Sequence, residues 1–306
     1  MRSPTQLDLT SADIAVIVRE ALGASLDTAS ELGGGGFAAV WLASLTDGRR
    51  VVVKVAPPAS ARLLSYEREL IPAEAAYFRL VAGLAPVPSV LAVSPRWIIT
   101  TLLPGKPLTA GDSPRARSAL GAAVRRVHTV AGSHFGYPGD RPSGPDWATA
   151  FAAMMASLRT DAASWNVSLP PALDGAVERH TPALTAVTTP ALLHFDLWDG
   201  NVLVAGDGSL SGLVDGERYL YGDPLLDLVS PALFRRIEDE PGHPFLTGYA
   251  PGPFDRAALI RLALYRVHLY TLMLTEGPSR GIPATDGRQT HVTALLEAEL
   301  NHLDAL

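Results

Sequence analysis

Apolar and polar positions along the 306-residue chain fall into two regimes. Over the first hundred residues the apolar stretches are short and separated by turn residues. Leu32 leads into four glycines, 33–36; Phe37 to Ala43 resumes an apolar run, and Thr46-Asp47-Gly48 supplies a turn. Arg50-Val51-Val52-Val53-Lys54-Val55 reads as a β-branched strand that Pro57-Pro58 ends. A further strand pair is predicted from Pro86-Val87-Pro88 to Leu103, turned at Ser94-Pro95-Arg96. Two helices accompany these strands. One runs from a cap at Thr10 or Ser11 to about Leu22; the other covers about 61–82, spaced by Leu64, Leu70, Ala75, Phe78 and Val81 and stopped by Gly83.

Pro104-Gly105 breaks this regime and is the boundary candidate. Beyond it helical spacing dominates, over 115–130, 147–158, 171–184 and from Leu225 to the end. The exception is a short hairpin, 201–204 and 211–214, around Gly206-Asp207-Gly208. The pattern predicts an α+β chain of two lobes. Residues 1–104 form a small β-rich lobe with a leading helix, and residues 105–306 a larger helical one. No internal repeat or low-complexity tract interrupts them.

Composition narrows the function classes. At 47% hydrophobic and 18% charged, the chain has the balance of a soluble globular protein. A net charge of −6 argues against a nucleic-acid partner, which needs a basic face. The absence of cysteine excludes disulfides and thiolate metal sites. The most apolar stretch, 259–274, is interrupted by Arg261, Arg266 and His268 and reads as a buried helix rather than a membrane span. With no signal-peptide pattern at the N-terminus, the expectation is a cytoplasmic protein without a membrane partner, a monomer or homodimer. Lysine occurs twice, at 54 and 106, against 23 arginines. A lysine kept inside an apolar strand of such a chain points to a required compact ammonium.

The segment richest in chemistry is His194-Phe195-Asp196-Leu197-Trp198-Asp199-Gly200-Asn201, followed by the predicted hairpin and Asp215. Phosphoryl transfer needs a carboxylate to orient the attacking hydroxyl and oxygen ligands that hold Mg²⁺ against phosphates. An Asp, an Asn five residues on and an Asp after a hairpin can meet those demands together. His-x-Asp-x-x-x-x-Asn with that downstream Asp resembles the catalytic motif of the aminoglycoside phosphotransferase family, which has a protein-kinase-like fold. The resemblance runs from about residue 30 to 275. It implies Asp196 as catalytic base, Asn201 and Asp215 as Mg²⁺ ligands, and His194 as a support for the loop.

The glycine run supports the same resemblance. Leu32 to Val40 is similar to a kinase glycine loop, with Gly33, Gly35 and Phe37 at the nucleotide and Ala38 in place of the third glycine. Such glycines let backbone approach phosphates. Lys54 would then contact the α/β-phosphates of ATP, with GTP open as the alternative. Its expected partner is Glu74, while Glu67 and Glu69 read as solvated helix charges. Thr101 and Leu103 correspond to a hinge whose backbone receives the adenine edge. His128 reads as a packed structural histidine, and Asp223 and Asp227, in Gly222-Asp223-Pro224-Leu225-Leu226-Asp227, as helix caps that brace the catalytic loop.

Departures from the family pattern bear on the acceptor. Phe195 stands where glycine is usual, and either lines the acceptor pocket or packs inward. Leu197-Trp198 is similar to the Leu-Trp of fructosamine (ketosamine) kinases; Trp198 either stacks on a sugar or fills the loop. Gly216-Glu217-Arg218 follows Asp215 where the pattern has Phe-Gly, with Glu217 and Arg218 as substrate or phosphate contacts or as an ion pair closing the turn. Only seven residues separate Asp215 from Asp223, too few for a protein kinase's activation segment, so a small hydroxylated acceptor is expected. Helices around 147–165 and near the C-terminus are expected to wall its pocket. Glu238-Asp239-Glu240 is either an attraction for an amine-bearing acceptor or a solvated face. The first expectation is an antibiotic-modifying resistance kinase. The alternatives are a metabolic ketosamine, amino-sugar or choline-like kinase, and a nucleotide-binding pseudokinase, against which the intact Lys54, Asp196, Asn201 and Asp215 argue.

Overall fold

Alternate burial in the first hundred residues resolves into an antiparallel sheet. The computed structural model describes residues 2–33 and 35–306. Helix α1 (Ser11–Leu22) starts at a capping box in which Thr10 and Asp13 serve each other's backbone N–H groups, and ends at Gly23 with φ 63°. Strands β1 (Leu26–Leu32), β2 (Ala39–Leu45), β3 (Arg50–Val55), β4 (Val90–Val93) and β5 (Trp97–Thr101) lie in the order β1-β2-β3-β5-β4. Ala39, Trp41, Ala43, Val51, Val53, Val55 and Ile99 share one buried face with Ile14 and Val18 of α1. Side chains alternate along a strand, so that packing turns Lys54 to the other face.

Helix α2 (Leu70–Leu80) is shorter than the expected 61–82. Leu64 is buried as the spacing implies, but it precedes a 3₁₀ turn at Ser65–Glu67, and extended backbone at Leu64 and Arg68 interrupts the helical ladder. The Glu67 carboxylate accepts the Leu64 N–H at 2.8 Å and stabilises that turn.

The second half is helical with small sheets inserted. After β6 (Lys106–Pro107) come α3 (Pro114–Val127), β7 (Phe135–Gly136), β8 (Ser143–Gly144) and α4 (Trp147–Ser164). Then follow α5 (Ala176–Arg179), α6 (Thr181–Thr185), β9 (Ala191–Leu193), β10 (Val202–Val204), β11 (Leu210–Leu213) and β12 (Leu220–Gly222), and finally α7 (Pro244–Tyr249), α8 (Arg256–Ser279) and α9 (Gly287–Ala305). The small sheets run β11-β10-β6 and β8-β7-β12-β9. The helix expected over 171–184 is broken, because Gly175 takes φ 71° and Pro182 lacks an N–H. Helix α4 runs six residues past the expected end; its buried Asp161 accepts the Ser65 N–H and hydroxyl at 2.8 and 2.9 Å. Residues 224–228 form a 3₁₀ turn rather than the start of a helix. Helix α8 has the length and mean hydropathy (1.3) to cross a membrane, yet 72% of that window is buried inside the protein, as in a core helix.

Candidate active site

Lys54 projects from β3 between the sheet and the helical half, with its side chain 8% exposed. Its Nζ donates to Asp215 Oδ1 at 2.8 Å and to Glu217, and lies 3.0 Å from Glu74 Oε2. Glu74 is thus the partner expected, but it shares the ammonium with two carboxylates from the turn after β11. Burial alone would lower the Lys54 pKa; the three carboxylates outweigh it and hold it well above the ordinary range. Burial pushes Glu74 and Glu217 up, with Lys54 opposing. At Asp215 burial pulls upward, but the Lys54 charge and hydrogen bond outweigh it and hold the carboxyl below its ordinary range. Of the other two glutamates, Glu69 is exposed, whereas Glu67 is not the solvated charge expected: it is 1% exposed and pairs with Arg280.

Residues 194–201 turn from β9 into β10, and buried groups hold that turn from below. Asp227 accepts the His194 N–H at 2.9 Å through Oδ2 and the Phe195 N–H at 2.6 Å through Oδ1. His128 Nε2 lies 3.0 Å from the same Oδ2, in the structural role expected of it. Ser230 Oγ accepts the Leu197 N–H at 2.9 Å. His194 Nδ1 accepts the Asp196 N–H at 3.2 Å, so its Nε2, 3.1 Å from the Val214 carbonyl, is the donor. Arg117 of α3 grips Asp199 through two parallel bonds of 2.7 and 2.6 Å. Asp223 caps the turn at 224–228 and accepts from Arg261 and the Tyr265 hydroxyl, each at 2.7 Å.

These supports leave Asp196 with a carboxylate 23% exposed. Burial raises its pKa, opposed by Arg218 and His194. Asn201 Nδ2 donates to the Asp196 carbonyl at 2.9 Å, and no described donor engages its Oδ1. Pairing of Val202 with Leu213 places Asn201 beside the Val214-Asp215 end of the hairpin. Glu74, Asp215 and Glu217 bring carboxylate oxygens within 4.8 Å of one another. Three carboxylates facing one ammonium leave an excess of negative charge, and oxygen-only donors suit a hard divalent cation. The residues therefore fit Mg²⁺, with Asp215, Asn201 Oδ1 and Glu217 as its candidate ligands.

The substrate-side residues resolve differently. Phe195 adopts φ 68°, a region glycine takes freely, and its ring is 1% exposed, 5.2 Å from that of His268. It packs inward and does not line a pocket. Trp198 is half-buried, its indole against Gly200, where a methyl group would strike it; it fills the loop. Glu217 and Arg218 do not pair with each other, because adjacent residues on this turn point apart. Glu217 goes to Lys54. Arg218 reaches Glu276 of α8 at 2.8 Å, lies 3.8 Å from Asp196 Oδ2 and sits over the Tyr66 ring. Trp147 is fully buried and donates to the Tyr265 hydroxyl at 2.7 Å, so it is core. Glu238 grips buried Arg266 at 2.6 and 2.9 Å, whereas Asp239 is exposed and Glu240 pairs with exposed Arg235, so of the acidic run only Glu238 departs from a solvated face.

On the nucleotide side, Gly33 and Gly35 are exposed between β1 and β2, and Gly34 lies outside the described residues. Thr5 Oγ1 donates to the Gly36 carbonyl at 2.9 Å, and Gln6 Nε2 to those of Gly35 and Ala38 at 3.0 and 3.1 Å. The segment before α1 thus holds this loop, which its sequence does not announce. Phe37 is 7% exposed beneath the Arg280 guanidinium. At the hinge the Thr101 N–H is already bonded to the Ser89 carbonyl at 3.0 Å, which removes it as an adenine donor. No described partner engages the Leu103 backbone. Pattern reading also missed Tyr66 and Glu276. The available signal was Glu276 as the one acid of α8, in an otherwise apolar helix.

The sequence model of the phosphotransferase enzyme family matches residues 28–260. The chain belongs to this family. Among relatives of the phosphotransferase family, a protein of Lactiplantibacillus plantarum assigned as a ketoamine kinase is 28% identical over 188 residues. The match spans 54% of this chain and 64% of that relative. Among solved structures, a protein of Thermobifida fusca assigned as a fructosamine-3-kinase superposes with a TM-score of 0.71 at 21% identity, covering 94% of this chain and 98% of that one. An aminoglycoside phosphotransferase in ternary complex with ADP and hygromycin B gives 0.64 at 15% identity, with the same coverages. At these identities the structures speak for the fold alone. The fold is α+β and protein-kinase-like.

Proposed function

We propose that this phosphotransferase moves the γ-phosphoryl group of ATP to a hydroxyl of a small sugar-derived acceptor, with Mg²⁺ between the phosphates and the carboxylates. The observation that carries this reading is the meeting of Lys54 with Glu74, Asp215 and Glu217, beside the loop that presents Asp196 and Asn201. Lys54 offers an ammonium to the phosphates. Asp196 accepts the acceptor's hydroxyl proton and orients its oxygen for in-line attack. Asp215, Asn201 and Glu217 would hold Mg²⁺, which neutralises charge on the phosphates when bound. Only seven residues lie between Asp215 and Asp223, which favours a small acceptor over a peptide.

For the acceptor, the 28% identity to a protein assigned as a ketoamine kinase favours a ketosamine. An antibiotic acceptor, the first expectation, rests on fold likeness alone. The test is nucleotide consumption, with ATP and GTP, over ketosamines, amino sugars and aminoglycosides, with mass spectrometry for a phosphate adduct. A phosphorylated ketosamine that Asp196→Asn fails to produce is the expected outcome. Nucleotide hydrolysis without adduct for every acceptor, or an adduct formed equally by Asp196→Asn, contradicts it.

A further inference from the structure

Arg141 is a buried charge that phosphoryl transfer does not account for. It lies on the loop between β7 and β8 and is 6% exposed. Its Nε donates to the Pro138 carbonyl at 3.2 Å, its guanidinium stands 5.0 Å from the Tyr137 ring centroid, and its Nη1 is buried without a hydrogen-bond partner. Other buried guanidinium groups are paired: Arg266 with Glu238, Arg280 with Glu67, Arg218 with Glu276. No carboxylate among the described residues lies within ion-pair distance of Arg141. Burial lowers its pKa, yet an arginine stays protonated at neutral pH, so the charge persists. An unpartnered buried charge is destabilising unless something supplies its counterpart.

Arg141 also lines an open hollow of ≈ 460 Å³ beside α4, together with Arg68, Ser65, Ser143 and Ser157. Asp140, exposed, is the one carboxylate on that wall among the described residues, and two arginines outnumber it. A run of contacts leads from the catalytic carboxylate to the hollow. Arg218 is 3.8 Å from Asp196 and 5.6 Å from the Tyr66 ring, which stacks 6.3 Å from Tyr137, beneath Arg141. Arginine's planar fork matches oxyanions.

We infer that Arg141, with Arg68 at the mouth, binds an oxyanion group, carboxylate or phosphate, carried by the hydroxylated acceptor. The acceptor is then an acid-bearing polyol or sugar derivative rather than a polycation. The word acceptor rests on the proposed activity; the oxyanion site does not. Calorimetry on the full chain with saturating Mg·ADP compares gluconate with glucitol, and glucose 6-phosphate with glucose. The expected result is at least about ten-fold tighter binding of one acidic member, and the two arms say which oxyanion is preferred. Arg141→Gln should abolish the preference, Arg141→Lys keep part of it and Arg68→Gln weaken it a few-fold, with Mg·ADP affinity unchanged as evidence of folding. Acidic members that bind no better than neutral ones, measurably or not at all, overturn the inference. So does a preference that survives Arg141→Gln. If Arg141→Gln does not fold, Arg68→Gln and the wild-type pairs still decide. Binding without turnover of any acidic acceptor counts against the kinase reading alone.

Discussion

Phe195 combines a backbone angle that favours glycine, φ 68°, with a ring that is 1% exposed. Such an angle costs of order 1–3 kcal/mol in a residue with a side chain. Burying a phenyl ring returns about 1.5–3 kcal/mol, and the Asp227 bond to the Phe195 N–H holds the geometry. Phe195→Gly relieves the strain but opens a cavity beside His268, so it should lower stability by about 2–4 kcal/mol in a urea titration; unchanged stability would contradict the packing role. The neighbouring Asp196 has its pKa raised by burial, which Arg218 opposes. A raised carboxyl must still ionise to act as base, so activity falls with pH from a point above the ordinary 3.8. Removing the opposing cation raises it further. Arg218→Gln should therefore move the acid limb of the kcat–pH profile to higher pH; a limb that stays or moves lower rules out their coupling. The position of Phe195 in the motif was legible from the chain, but its orientation was not, because the ring's neighbour is His268, 73 residues away in α8.

At the scale of elements, two glycines let α3 and α7 touch through their backbones. A methyl group on Gly121 would strike the Phe245 carbonyl, and one on Gly248 the Ser118 carbonyl. Gly248→Ala should lower stability by about 1–3 kcal/mol through overpacking, read from chemical denaturation. On α8, His268 sits among Phe151 and Phe195, and burial depresses its pKa from 6.5 to about 3. The unfolded chain then binds a proton that the folded chain does not, so this residue's contribution to stability is present above pH 6.5 and is lost as pH falls toward 3. His268→Leu should flatten stability against pH between about 6 and 4, and an unaltered slope would contradict a neutral buried imidazole. Helix α1 was legible because its periodicity matches its burial, strand β3 because it is a β-branched run, and helix α8 because a long apolar stretch is buried on nearly every face. The stretches 61–69 and 171–184 were not. Apolar spacing looks the same in a helix and in a 3₁₀ turn flanked by extended backbone, and the interruptions depend on local bonds such as Glu67 to Leu64.

For the molecule as a whole, Lys54 of the sheet and Asp215 and Glu217 of the helical half are joined by the charges that a metal-bound nucleotide would engage. Mg·ATP should raise the melting temperature, by about 2.7 kcal/mol of stability at a hundred times its Kd. ATP with excess EDTA should do so far less, because the carboxylate cluster then faces phosphate charge unscreened. Lys54→Met should remove most of the nucleotide response and, by leaving buried carboxylates without their cation, lower stability by about 3–5 kcal/mol. A metal-independent shift of full size would rule out the carboxylates as the cation site.

What the chain determined alone was a set of chemical groups and their order: a lysine in a β-branched strand, then Asp196, Asn201 and Asp215 at spacings set by one loop and one hairpin. Those spacings are local, so short-range geometry is enough to imply them. Which partner each charge takes was decided only in three dimensions. Glu217 turned to Lys54, Arg218 to Glu276 and Glu67 to Arg280, across 58 to 213 positions of the chain. Electrostatic pairing of that range depends on which elements pack together, and it left Arg141 without a carboxylate of its own.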